Sequence, residues 1–291
     1  MSRRTIAKPV TLTGTGLFTD KPASATIEPS APGLGIRFVH NATHVHADIE
    51  LLAHSPIPAF KELPPRHTCL ALGSACAITT EHVLAAIAGA GITDADIVLG
   101  ESGELPIGDG SAKLFTDAIN SVGTTAQGGT TTPITLAEPI TVSDDTGATI
   151  TAEPAPSASY TYHFKPQPGS PLTVQSASWD ASPAEFASDI APARTFSMHA
   201  EATQMQSLGL FTSFTPADLL VLDEAGQPID NSFRFDNEPA RHKLLDLIGD
   251  LALAGAPICA KITATKSGHA LNHQLAKRLY DLRDQADMFS L

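Results

Sequence analysis

The stretch 81-EHVLAAIAGAGITDADIVL-99 decides the fold, because the chain repeats its plan at 241-RHKLLDLIGDLALAGAPICAKI-262. Each runs from a histidine-headed helix through an Ala-Gly turn into a β-rich segment, a shared helix-to-strand order. Before each copy lie short alternating runs bounded by Gly, Pro or Asn. "RTIAKPVTLTG", "ASATIEP", "LGIRFVH" and "HVHADIE" precede the first; "PITLAEPITVSD", "GATITAEP", "SYTYHFKP" and "PLTVQSA" precede the second. Such runs read as strands. A further helix follows each copy: one capped by Ser111 and running to about Asn120, the other from about Ala270 to Arg283. The expectation is two similar α+β subdomains facing each other, residues 1–125 and 126–291. The breaker-rich stretch 123-GTTAQGGTTTP-133 reads as the linker between them. Pro56, Pro58, Pro64 and Pro65 mark an irregular stretch.

The opening of the first copy, 79-TTEHV-83, sets an acid and an imidazole side by side before an apolar run. Thr79 is placed to cap the helix and Glu81 suits its dipole, which would leave His82 as a structural histidine. In the second copy His242 and Asp246 stand at i and i+4, one turn apart on one helix face. That spacing serves a helix-surface pair or two ligands of one ion. If the two helices pack together, His82 adds a third ligand, and two histidines with one carboxylate suit a catalytic zinc. The same set suits non-haem Fe(II), and an Fe(II) oxygenase is the competing chemistry. Glu81, next to a ligand, is then a natural general base. His269 heads the last helix after "KSG", which lacks the glycine framework of a P-loop. His44 and His46 alternate on a strand, as a solvated edge would have them.

Bulk composition narrows the partners. The 291 residues carry a net charge of −13 with 42% hydrophobic content, which favours a packed core and disfavours nucleic acid or an anionic membrane. Cys69, Cys76 and Cys259 form no CxxC pair, and an odd count fits a reducing compartment. The expected setting is cytoplasmic, with no transmembrane segment, because the apolar region near residues 244–260 is broken by Asp246 and Asp250.

Five blocks in sequence, "TTEHVLAAIAGAGI", "ELPIGDGSAKLF", "IAPARTFSM", "RHKLLDLIGDLALAG" and "TATKSGHALN", resemble the signatures of the UDP-3-O-acyl-N-acetylglucosamine deacetylases, zinc amidases of lipid A synthesis. The resemblance implies two α+β domains, each a mainly antiparallel sheet with helices, the helices packed between the sheets. It implies zinc ligands at His82, His242 and Asp246, a general base at Glu81, and a histidine acid at His269 oriented by Asp250. It further implies an oxyanion-contacting hydroxyl at Thr195 and a substrate-contacting amine at Lys243. An acyl passage would fall near residues 196–215, with Phe196 and Leu210 lining it. The expected substrate is UDP-3-O-acyl-N-acetylglucosamine, and the expected state is a monomer. The family usually has a histidine where Phe18 stands, a tyrosine where Thr265 stands, and a Gly-Gly pair where this chain reads "LFTSFTPADLL". The intact set of site residues argues against a homologue that binds without cleaving.

Overall fold

The computed structural model describes residues 1–61 and 66–288, the side chains of Lys61 and of 285–288 excepted. Pro64 and Pro65 of the irregular stretch lie outside the described residues. The α-helices among the described residues are α1 (Glu81–Gly89), α2 (Lys113–Val122), α3 (Pro183–Glu185), α4 (His199–Ser207), α5 (Glu238–Leu251) and α6 (His269–Met288).

Two larger sheets carry the architecture. The first runs Val10–Thr15, Pro22–Pro29, Ala95–Leu99, Ile36–His40, Thr43–His46. The second runs Ile140–Ser143, Thr149–Pro154, Ile258–Thr265, Ser159–Phe164, Gln175–Trp179, with Ile134–Thr135 added beside Ile258–Thr265. Each central strand, Ala95–Leu99 or Ile258–Thr265, comes last in sequence. Each is antiparallel to the second strand of its sheet and parallel to the third. The two sheets therefore share one topology, and the repeat seen in the sequence is a repeat of fold. The α+β architecture matches the expectation.

A parallel pair needs a crossover. In the first half that crossover carries α1, and in the second it carries α5. Helix α1 is buried almost all round, from Val83 to Ile87; an amphipathic surface helix would not be. It packs against α5, and the small residues make that approach close. A Cβ built on Gly249 of α5 would lie 2.8 Å from the carbonyl carbon and 3.1 Å from the Cα of Glu81. Gly89, at the other end of α1, receives the ring of Phe186. The crossing of α1 and α5 thus brings the head of the first helix onto the carboxylate-bearing face of the second.

Two local expectations need correction. The presumed linker is a strand, Thr124–Thr130, paired antiparallel with Ser2–Ile6. Its threonines are β-branched and suit extended backbone, which outweighs the breaker content of the stretch. Thr79 does not cap α1. It adopts φ +62° and its hydroxyl donates to Glu104 at 3.3 Å, while the residue at the cap position, Thr80, makes no side-chain cap bond. A β-branched residue at positive φ is strained, and Glu104 is the group that holds it there. Ser111 stands one residue before the cap position of α2, Ala112, and accepts from the Lys113 N–H at 3.1 Å. His44 and His46 are exposed on the edge strand Thr43–His46.

Candidate metal and catalytic site

Three donors from two elements converge at the helix crossing. His82, His242 and Asp246, all buried, each offer a ligand atom, and these atoms lie within 4.8 Å of one another. Nε2 of His82 is 3.7 Å and Nε2 of His242 3.3 Å from Asp246 Oδ1. The two imidazole rings stand edge to face, with centroids 5.3 Å apart. Nδ1–H of His242 donates to the Ala193 carbonyl at 3.2 Å, which leaves the lone pair on Nε2, directed at the other donors.

The protonation states suit a cation. Burial pushes His242 down to about 3 and lowers His82 as well, so both rings are neutral. Burial works against ionisation of Asp246, but the Lys243 ammonium and the protonated His269 hold its carboxyl well below the usual range. Neutral imidazoles and an ionised carboxylate are the forms that bind a metal ion. Lys243 donates to Asp246 Oδ2 at 2.8 Å and leaves Oδ1 facing the histidines.

Glu81 and His269 flank these donors in one cleft, which Thr195 and Lys243 also line. Burial pushes the Glu81 carboxyl up to about 8; His269 opposes this, and Asp250 and Asp246 add to it. Burial would depress His269, but the Asp250 carboxylate, with Asp246 and Glu81 beyond it, raises the imidazole to about 9. Nδ1–H of His269 donates to Asp250 Oδ2 at 2.8 Å. Thr195 is fixed by its N–H, which donates to the Gly110 carbonyl at 2.7 Å. Gly110 sits at φ +84°, and a Cβ there would lie 2.8 Å from Thr195 Cγ2. The "GDGSA" turn at 108–112 therefore serves as the seat of Thr195 as it leads into α2.

Phe196 and Leu210 lie further out. Phe196 is half-buried and packs edge-on to Phe164, with centroids 5.8 Å apart. Leu210 is buried in an apolar cluster with Phe60 and Met205, to which Leu17, Phe18 and Ile107 of the cleft wall also belong. Phe18 stacks on His67, with centroids 4.3 Å apart. His67 is buried, neither ring nitrogen is hydrogen-bonded among the described residues, and burial pushes it down to about 3.

Sequence reasoning missed several residues that hold this site. Arg194 spans the gap between the Ala193 carbonyl and Thr195. Its Nε donates to Glu238 Oε1 at 2.8 Å, its Nη1 to Asn231 at 2.8 Å, and its backbone N–H to Glu238 Oε1 at 3.1 Å. Glu238, fully buried, stands one turn before His242 on α5. Thr68 and His273 contact Asp250. The sequence carried a signal for the Arg194–Glu238 pair only as opposite charges 44 positions apart.

The model of the family described as UDP-3-O-acyl N-acetylglycosamine deacetylase matches residues 3–281. A UDP-3-O-acyl-N-acetylglucosamine deacetylase of Anaeromyxobacter sp. is 36% identical over 279 residues, covering 96% of this chain and 88% of the relative. One from Geobacter sp. is 35% identical over 279 residues, covering 95% and 88%. One from Chlamydia trachomatis is 32% identical over 281 residues, covering 96% and 95%. With a family match across nearly its whole length and relatives of this identity and coverage, the chain belongs to the UDP-3-O-acyl-N-acetylglucosamine deacetylase family.

Proposed function

We propose that this protein hydrolyses the acetamide of UDP-3-O-acyl-N-acetylglucosamine, releasing acetate, as the committed step of lipid A synthesis, with zinc held by His82, His242 and Asp246. The observation that carries the reading is the convergence of those three donors beside an acid–base pair of carboxylate and imidazole. When bound, the ion supplies Lewis acidity toward the amide oxygen and lowers the pKa of water. The Glu81 carboxyl, beside the ligands, would be favoured in its ionised form by a divalent cation held there.

In this reading Glu81 takes a proton as water oxygen bonds to the acetamide carbon. The Thr195 hydroxyl donates to the developing oxyanion. As the carbon–nitrogen bond breaks, protonated His269 delivers its proton to the leaving amine, and Asp250 steadies the imidazolium. Lys243 offers an ammonium at the cleft wall to the anionic substrate. The lining of an acyl passage by Leu210 is supported by its place in the apolar cluster that meets the cleft. Phe196, packed on Phe164, is its outer flank.

Metal analysis of the purified protein, paired with an acetate-release assay on UDP-3-O-acyl-N-acetylglucosamine, tests the proposal. Chelation is expected to abolish release and zinc to restore it. Restoration by Fe(II) with oxygen consumption would instead favour the oxygenase chemistry; substrate binding without acetate release would sink hydrolysis.

A further inference from the structure

Asp250 is surrounded by donors from three directions. His269 Nδ1–H reaches Oδ2 at 2.8 Å and Asn272 Nδ2–H reaches the same oxygen at 2.9 Å. The Thr68 hydroxyl lies 2.6 Å from Oδ1, and His273 Nε2 lies 3.3 Å from that oxygen. Thr68 Oγ1 and His273 Nε2 are 3.0 Å apart. A hydroxyl has one proton, and the ionised Asp250 can only accept, so Thr68 gives its proton to the carboxylate. It then accepts from His273, which places the His273 proton on Nε2. The backbone N–H of Thr68 donates elsewhere, to Glu81 Oε2 at 3.0 Å. The residue is fully buried and sits at the mouth of the hairpin Cys69–Leu72/Ala75–Ile78, which leads into α1.

We infer that Thr68 is a positioning residue that ties the base to the partner of the acid, with His273 completing its hydroxyl's hydrogen bonds. The inference rests on the roles proposed above for Glu81 and His269. One residue holds both groups by separate atoms, so the spacing of base and acid is set by a single backbone unit. The hydroxyl also offsets part of the Asp250 charge and so weakens the pull of that carboxylate on the His269 proton. Among the described residues, the other titratable groups facing His269 are Asp246 and Glu81 from α5 and α1, His67 from the segment beside Thr68, and His273 from its own helix.

The test is Thr68→Val, which keeps shape and backbone N–H and deletes the hydroxyl, with Thr68→Ser as the conservative variant. The metal-replete enzymes are assayed for acetate release from pH 5.5 to 10. The expected result for Val is a kcat about tenfold lower with KM within about twofold, as for loss of a hydrogen bond to a charged group. The alkaline limb should also move up by about half a pH unit, and Ser should recover both. His273→Asn, at the rim of the same network, should move the limb in the same direction and does not disturb the buried hairpin. The inference is overturned if the limb stays at its wild-type position in both Thr68→Val and His273→Asn, or if Ser recovers nothing that Val has lost. A fully active Glu81→Gln would overturn the proposed chemistry instead, so the two failures are separable.

Discussion

His242 can present a lone pair only from Nε2, because its Nδ1–H is committed to the Ala193 carbonyl. Asp246 presents Oδ1 because Lys243 holds Oδ2. His82 is the remaining donor of the proposed ligand set, so His82→Ala is expected to lose the metal itself, read by elemental analysis; unchanged metal content would disprove that set. Glu81→Gln and His269→Ala should keep the metal and lower turnover by about 10² to 10⁴. The metal-free protein gives a second check on His269. Its folded pKa, about 9, lies above the value of 6.5 for an unperturbed imidazole. Its contribution to stability is therefore complete below pH 6.5 and lost as pH rises through about 9. Chemical denaturation after chelation should show this decline, and His269→Asn should flatten it; an identical pH profile in the variant would count against the His269–Asp250 pair. Glu81 loses stability over an overlapping window, from 4.5 upward to about 8, so the difference between the two proteins is the informative quantity. These residues were legible in the sequence where the chemistry is local: Glu81 adjoins His82, and Asp246 lies one turn from His242. Thr68 was not, because its partner Asp250 is 182 positions away.

At the scale of elements, the crossing of α1 and α5 sets the distance between the proposed base and the proposed metal ligands. Gly249 stands between Asp246 and Asp250, and the atoms that a Cβ there would strike are the backbone of Glu81. Backbone cannot rotate aside as a side chain does. Gly249→Ala is expected to destabilise the fold by about 1–3 kcal/mol and to lower kcat, measured by denaturant unfolding and acetate release. Gly128→Ala, where nothing lies within 4 Å, is the control. A Gly249→Ala enzyme with wild-type stability and turnover would show that the crossing is not tight. The Arg194–Glu238 pair sets the other wall. Arg194→Lys keeps the charge but not the fork that reaches Glu238 and Asn231 together. It is expected to weaken metal affinity by about 10–100-fold, as losses of outer-shell support do; competition with a chelator measures it, and unchanged affinity would reduce the pair to a structural one. The helices were readable from runs of helix-forming residues between breakers rather than from caps, since α1, α2, α4 and α5 make no side-chain cap bond. The strand Thr124–Thr130 was not, because its partner Ser2–Ile6 lies at the far end of the first half, and isolated threonines and glycines read as a loop.

At the scale of the molecule, the repeated order of elements made the two halves legible, while the register between strands depends on contacts that no local pattern specifies. The central position of Ala95–Leu99 and of Ile258–Thr265 in their sheets follows from the crossover helices, not from composition. The proposed metal site joins the halves: His82 comes from the first and His242 with Asp246 from the second. An ion that binds only the assembled site stabilises the folded chain in proportion to the logarithm of its concentration, about 4 kcal/mol at a thousandfold excess over Kd. Thermal unfolding of the wild type should therefore shift upward with added zinc and downward on chelation. His82→Ala removes a ligand from one half only, so its melting temperature is expected to become insensitive to zinc even though His242 and Asp246 remain within reach of each other. A zinc-dependent shift in that variant equal to the wild type's would mean that the second half binds the ion alone, and that the ion does not bridge the two repeats.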